Sequence, residues 1–376
     1  LEVGGDFDIG GPMWVFGQSR YAIAEDGSLI VAMSRPKGDV LLIDRTGQVE
    51  SGWSTIGGVR ALGGGGAAYV GATHTSDPAA IVHVDEPLYA STPNLHGVPA
   101  AFLPPPEAIA YPTSGGAESH ALYYPPAHPD YTGPTGELPP LLVLAHGGPT
   151  GAARRQLQLG LRYWTSRGWA VVDVDYRGST GYGRAYMRAL DDLWGIADVE
   201  DCIAAATFLV GRGDVDGERL AIRGGSAGGF TVLAALTFHD TFAAGASRYG
   251  IGDLEALARE THKFESRYLD RLIGPYPDAR DVYEARSPIN HTDQLEAPMI
   301  VLQGSDDRVV PPNQAEMMVE ALAAKGVPHA YVVFEGEGHG FRQGDNIVAA
   351  LEAEYSFFAQ MFGFEPADDI ATVEIR

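Results

Sequence analysis

What this chain of 376 residues lacks narrows it quickly. It has a single cysteine, so no internal disulfide framework is available, and a reducing, cytoplasmic setting is the expectation. That residue, Cys202, sits in the helical pattern Asp198-Val199-Glu200-Asp201-Cys202 and reads as a small core residue. Positive charge is scarce: 26 Lys and Arg against 49 Asp and Glu leave a net charge of −23. A phosphate backbone would be repelled by such a surface, which excludes nucleic acid as a partner. No apolar run approaches the roughly 20 residues of a membrane helix, so no membrane partner is expected. His74, His83 and His96 lack the spacing of metal ligands and read as structural. No metal and no cofactor is expected. An initiator methionine is also missing. The chain enters strand-like sequence at Leu1, as a fragment or processed chain would, and any targeting segment is expected before that point.

What is present is ordinary for a soluble globular protein, with 45% hydrophobic and 20% charged residues, and the length suggests two domains. Residues 1–95 show short strand patterns with no helical periodicity. Asp26-Gly27 between Tyr21–Ala24 and Ser28–Met33 predicts a hairpin. A second hairpin leads into Val40–Asp44, and the pattern recurs at Gly66–Gly71, a turn at Ser76-Asp77-Pro78, and Ile81–Asp85. A period near 40 with about four short strands per unit is how propeller blades repeat. Two blades cannot close a ring of about four to eight. The remaining blades are therefore expected on an N-terminal fragment of the same gene product, with an independent β-sandwich as the alternative. Unpaired strand edges would make such a piece prone to association, with that fragment or as a homo-oligomer.

A proline-rich stretch, with Pro104-Pro105-Pro106, Pro125-Pro126 and Pro139-Pro140, follows. The spacing predicts strands over 107–113 and 118–124 and a domain boundary near residue 100, giving units of 1–100 and 101–376. Beyond it strand and helix patterns alternate, the mark of an α/β domain with a mostly parallel sheet. Leu141–Ala145 is continuously apolar, as a strand covered on both faces must be. Strands are expected also over 169–174, 243–249, 298–302 and 329–334, and long helices over 196–211 and 345–361.

One strand stops at Gly224-Gly225-Ser226-Ala227-Gly228-Gly229, and a helix with Phe230, Leu233, Ala234 and Thr237 on one face begins at once. Small neighbours let strand and helix approach closely and push the Ser226 hydroxyl outward, the nucleophile-elbow arrangement of α/β-hydrolases. Ligands of open α/β sheets bind at the carboxyl ends of the strands. Reading those ends in order yields a Gly-rich loop, the serine, the acidic pair Asp306-Asp307 and the Gly-flanked His339. A serine needs an imidazole to take its proton, and the imidazole needs a carboxylate to hold its tautomer. Asp306 and Asp307 cannot both face His339, and spacing does not choose between them. The oxyanion donors are expected to be the Ala227 amide and an amide of Gly147 or Gly148. His146 beside them is expected to shape that loop.

These residues resemble the prolyl oligopeptidase family of serine peptidases, particularly its acylaminoacyl-peptidase and dipeptidyl-peptidase-like branch. The resemblance rests on His146-Gly147-Gly148-Pro149, Tyr176–Gly183, Trp194-Gly195 with Asp198, Gly224–Gly229, Asp306–Pro311 and Gly336–Phe341. It implies an α/β-hydrolase domain preceded by propeller blades, Asp306 as the triad acid, Arg308 near the substrate with His146, and peptide substrates. Thr261–Tyr268 is similar to a segment of puromycin-hydrolase-like members, with no role carried over. A carboxylesterase on the same triad and a non-catalytic propeller–hydrolase binding module are the alternatives.

Overall fold

The computed structural model of the protein describes residues 7–11, 17–36, 38–43, 47–50, 53–62, 67–74, 80–83, 89–90, 97–261, 263 and 265–376. The turn expected at 76–78, His96 and His262 lie outside them, as does the side chain of His83.

The Gly-punctuated start forms two four-stranded antiparallel meanders. The first consists of β1 (Tyr21–Ile23), β2 (Leu29–Met33), β3 (Val40–Ile43) and β4 (Gly47–Glu50), paired in that order. The second consists of β5 (Thr55–Ala61), β6 (Ala67–Ala72), β7 (Ala80–His83) and β8 (Tyr89–Ala90). One meander per 40-residue period is blade architecture. The two share a core in which Ile30, Ala32 and Leu41 pack with Ile56, Val59 and Tyr69. Buried Asp39 ties them further, accepting from Arg20 at 3.0 Å and from the Ile56 amide at 2.8 Å.

From residue 107 the sheet grows to eight strands: β9 (Glu107–Pro112), β10 (Glu118–Tyr124), β11 (Leu141–Ala145), β12 (Ala170–Asp175), β13 (Leu220–Gly225), β14 (Ala244–Arg248), β15 (Met299–Gly304) and β16 (His329–Phe334). Their order is β16-β15-β14-β13-β11-β12-β10-β9, with β11 to β16 mutually parallel and β9 and β10 antiparallel at one edge. The helices are α1 (Leu159–Thr165), α2 (Arg184–Arg188), α3 (Ala197–Arg212), α4 (Ala227–Phe238), α5 (Leu254–Glu260), α6 (Leu269–Leu272), α7 (Arg280–Arg286), α8 (Pro312–Lys325) and α9 (Gly344–Phe362). Alternation along each strand sends neighbouring side chains to opposite faces. Val143, Val172, Ile222 and Val301 enter the core under α3, α4 and α8, whereas Leu142, Val171, Ala221, Ala246 and Ile300 enter the core under α1 and α9. Burying each of the larger side chains contributes roughly 1.5–3 kcal/mol. Both faces are covered, which is why these strands are apolar throughout. α3 and α8 stop where Gly213 and Gly326 take the left-handed conformation.

The blades meet the α/β unit at its Gly-rich loop. The Asp8 carboxylate accepts from the Gly181 and Gly183 amides at 2.6 and 3.2 Å, and Arg155 donates to the Arg35 carbonyl.

Candidate active site

β13 ends and α4 begins on either side of Ser226, whose φ of 56° and ψ of −122° are unusual for a residue with a side chain. Such backbone strain costs about 1–3 kcal/mol and persists only where the surroundings enforce it. Here they do. A Cβ on residue 224 would lie 2.2 Å from the Gly228 carbonyl oxygen, and one on residue 228 would lie 2.1 Å from the Ala145 carbonyl oxygen. Glycine at both positions lets strand and helix approach closely enough to hold the elbow. The Ser226 amide donates to the Arg248 carbonyl at 3.0 Å, so the side chain is the part left to face outward.

His339 reaches it from the loop after β16. Ser226 Oγ lies 2.8 Å from His339 Nε2, and His339 Nδ1 lies 2.8 Å from Asp307 Oδ2. A carboxylate can only accept, so Nδ1 carries the proton and Nε2 is free to take the serine's. The expectation that Asp306 supplies this carboxylate is corrected: Asp307 does. Its side chain turns inward, nearly all of its surface is buried, and its other oxygen accepts from the Val309 and Val310 amides at 2.9 and 3.0 Å. Asp306 is exposed, and its backbone amide donates to the Glu337 carbonyl at 2.9 Å, which directs its side chain elsewhere. Arg308 is likewise exposed and does not line the cavity, contrary to the expectation for it.

The loop after β11 faces the elbow. A Cβ on Gly147 would stand 3.6 Å from Ser226 Cβ, so this backbone lies directly against the serine. His146 is fixed within that loop. Its Nδ1 donates to the Gly147 carbonyl at 2.9 Å, its Nε2 accepts from Ser179 Oγ at 2.6 Å, and its ring stacks on Tyr176 at 4.2 Å. Burial pushes its pKa down, as befits a neutral, structural imidazole. The Tyr176–Gly183 motif clamps the same loop. Asp175 accepts from the Ala153 amide and the Tyr182 hydroxyl, each at 2.7 Å, and the Thr180 amide donates to the Gly151 carbonyl at 2.7 Å. Tyr268 adds a 2.6 Å hydrogen bond to Thr150.

Two supporting residues received no role from the sequence. Asp198, fully buried, accepts from the Gly195 amide at 2.7 Å and from Thr231 at 2.6 Å, fastening α3 to the elbow helix; burial raises its pKa to about 6. The Trp194-Gly195 motif was the signal for it. Tyr249, with φ of 39°, packs its ring 4.8 Å from that of His339, and no local pattern marks it. Ser226, His339, Gly147 and Gly148 all border one cavity of about 1320 Å³. Its lining includes Trp194, Ile251, Leu257, Leu269 and Val310 on one side of the elbow, and on the other Leu144 and Leu161 together with the charged Asp173, Arg223 and Arg248.

This arrangement has counterparts. The chain is 34% identical over 232 residues to dipeptidyl aminopeptidase BIII of Pseudoxanthomonas mexicana, covering 60% of this chain and 33% of that protein. It superposes on the crystal structure of a puromycin hydrolase with a TM-score of 0.91 at 40% identity, covering 99% of this chain and 57% of that one. A puromycin-hydrolyzing peptidase of Mycobacterium tuberculosis is similar with a TM-score of 0.89 at 41% identity, covering 99% of this chain and 59% of the other. The chain thus spans about a third of that curated relative and under two thirds of those solved structures. The α/β-hydrolase fold with preceding blades agrees with these neighbours. A family model matches residues 155–365, more than half of the chain, including Ser226, Asp307 and His339, and by that match the chain belongs to the prolyl oligopeptidase family.

Proposed function

We propose that the protein is a serine peptidase that hydrolyses short peptides or aminoacyl amides through an acyl-enzyme on Ser226. The observation that carries this is the unbroken hydrogen-bonded chain from Ser226 through His339 to Asp307, built on an enforced elbow. In this reading Ser226 Oγ attacks the scissile carbonyl while His339 Nε2 takes its proton, and Asp307 stabilises the imidazolium that forms. The oxyanion meets the Ala227 amide at the start of α4 and an amide of the Gly147-Gly148 pair; losing one such donor typically costs about 3–4 kcal/mol of barrier. Nε2 then returns the proton to the leaving amine. Water repeats the sequence to release the acid. The family membership and the peptidase names of the relatives support an amide substrate. The apolar side of the cavity suits the side chain of the acyl residue.

Replacing Ser226 with Ala tests this on peptide p-nitroanilides. Turnover is expected to fall by about 10⁴-fold or more, and fluorophosphonate labelling of the folded protein is expected to vanish. Retained turnover would sink the proposal.

A further inference from the structure

The charged side of the cavity is not used by the triad. Arg223 and Arg248 lie at the carboxyl ends of the adjacent parallel strands β13 and β14, where alternation sends both toward α1 and α9. Both converge on Glu354 of α9, which is fully buried. Arg248 Nε and Nη2 donate to it at 2.5 and 2.7 Å, and Arg223 Nε stands 3.2 Å away. Two guanidinium groups thus share one carboxylate. The α9-to-sheet bond needs only one of them, and a surplus charge in a desolvated site is costly unless something answers it. The terminal nitrogens of Arg223 have no hydrogen-bond partner among the described residues, and this side chain borders the cavity.

The other acid on this side is Asp173. Burial, and then the charge of nearby Asp175, push its pKa up to about 7, so at neutral pH it answers only part of the surplus. A cationic recess in a chain of net charge −23 is a selective feature for an anion. A planar guanidinium fork fits a carboxylate in particular. Glu265 also borders the cavity. The carboxylate of a short peptide in the cavity would be drawn to Arg223. Arg223 precedes Ser226 by three residues, about 10 Å along a strand, which a leaving group of about two residues can span.

We propose that Arg223 and Arg248, held by Glu354, form a subsite for the free C-terminal carboxylate of the leaving peptide, so that the enzyme favours short peptides with an unblocked C-terminus. This rests on the reading of Ser226 as a peptidase nucleophile. The test compares a tripeptide with its C-terminal amide on the intact protein. The acid is expected to have a KM about tenfold lower or better, and Arg223→Met to bring the two KM values together. Calorimetry on the Ser226→Ala protein gives the same comparison without chemistry, again with the acid about tenfold tighter. Equal binding of acid and amide overturns the subsite, whether or not either is cleaved. Tighter binding of the acid with no cleavage of either by the unmodified protein upholds the subsite and removes the peptidase reading instead.

Discussion

The two faces of the hydrolase sheet are built from alternate residues of the same strands, yet they end differently. Under α3, α4 and α8 the core is apolar apart from buried Asp198 between α3 and the elbow helix, and opens into an apolar recess beside Ser226. Under α1 and α9 it is equally apolar at the base, with Leu142, Val171 and Ala221, and then turns charged two residues later at Asp173 and Arg223 and across at Arg248 and Glu354. On the first face the elbow helix is held mainly by packing, as where Phe230 meets Trp194 at 4.8 Å, with one buried hydrogen bond from Thr231 to Asp198. On the second, α9 is held by packing of Phe357 and Phe358 and, in addition, by a buried ion network. Packing is indifferent to pH and to what fills the cavity. A network with a surplus charge is sensitive to both.

The sharpest contrast lies where the carboxyl ends of the strands meet the triad, because adjacent residues there face inward and outward. Asp307→Asn is expected to lower kcat by about 10⁴-fold, since the imidazole loses its tautomer and its counter-charge. Asp306→Asn, on the exposed side, is expected to stay within about twofold. Equal losses from the two would break the assignment. Next in size are substitutions that probe one face each. Phe230→Ala is expected to destabilise by about 4 kcal/mol through a cavity at the elbow helix. Glu354→Gln is expected to cost about 3 kcal/mol by leaving two guanidinium groups unanswered. Denaturant midpoints measure both, and added salt or acetate is expected to moderate the second alone. A salt-insensitive loss in Glu354→Gln would erase the distinction between the faces.

A pH-dependent effect concerns Asp173, and its sign follows from its raised pKa of about 7. The folded state holds this proton more tightly than the unfolded chain. The group's stabilising contribution is therefore complete below the ordinary carboxyl range and is lost as pH climbs through about 7. Asp173→Asn removes that loss. Its advantage in thermal midpoint is expected to be small near pH 4 and to correspond to on the order of 4 kcal/mol near pH 8. An advantage that does not change with pH would show the carboxyl to be unperturbed.

Much of the scaffold was legible because its signals are local. Leu141–Ala145 and Met299–Gly304 are apolar runs of strand length, and α8 stops at Gly326 as its pattern requires. The blade period was readable from glycine spacing, whereas β5 was not. Gly57 and Gly58 interrupt its alternation, and its register shifts between Gly57 and Arg60. The elbow was visible since a strained serine demands glycines at fixed offsets. Arg223, Arg248 and Glu354 carried no signal, being separated by 25 and 106 residues in the chain and joined only when β13, β14 and α9 pack.

By itself, then, the sequence determined that a serine, an acid and a histidine stand at successive strand ends of a parallel sheet, because strand periodicity and turn chemistry act over a few residues. Which of two neighbouring aspartates serves the histidine was decided only by the tertiary structure. The Val309 and Val310 amides and the buried wall beneath the loop turn Asp307 inward, while the Glu337 carbonyl holds the backbone that leaves Asp306 in water. Sequence spacing cannot resolve a one-residue choice in an irregular loop. Burial and hydrogen bonding across distant segments can.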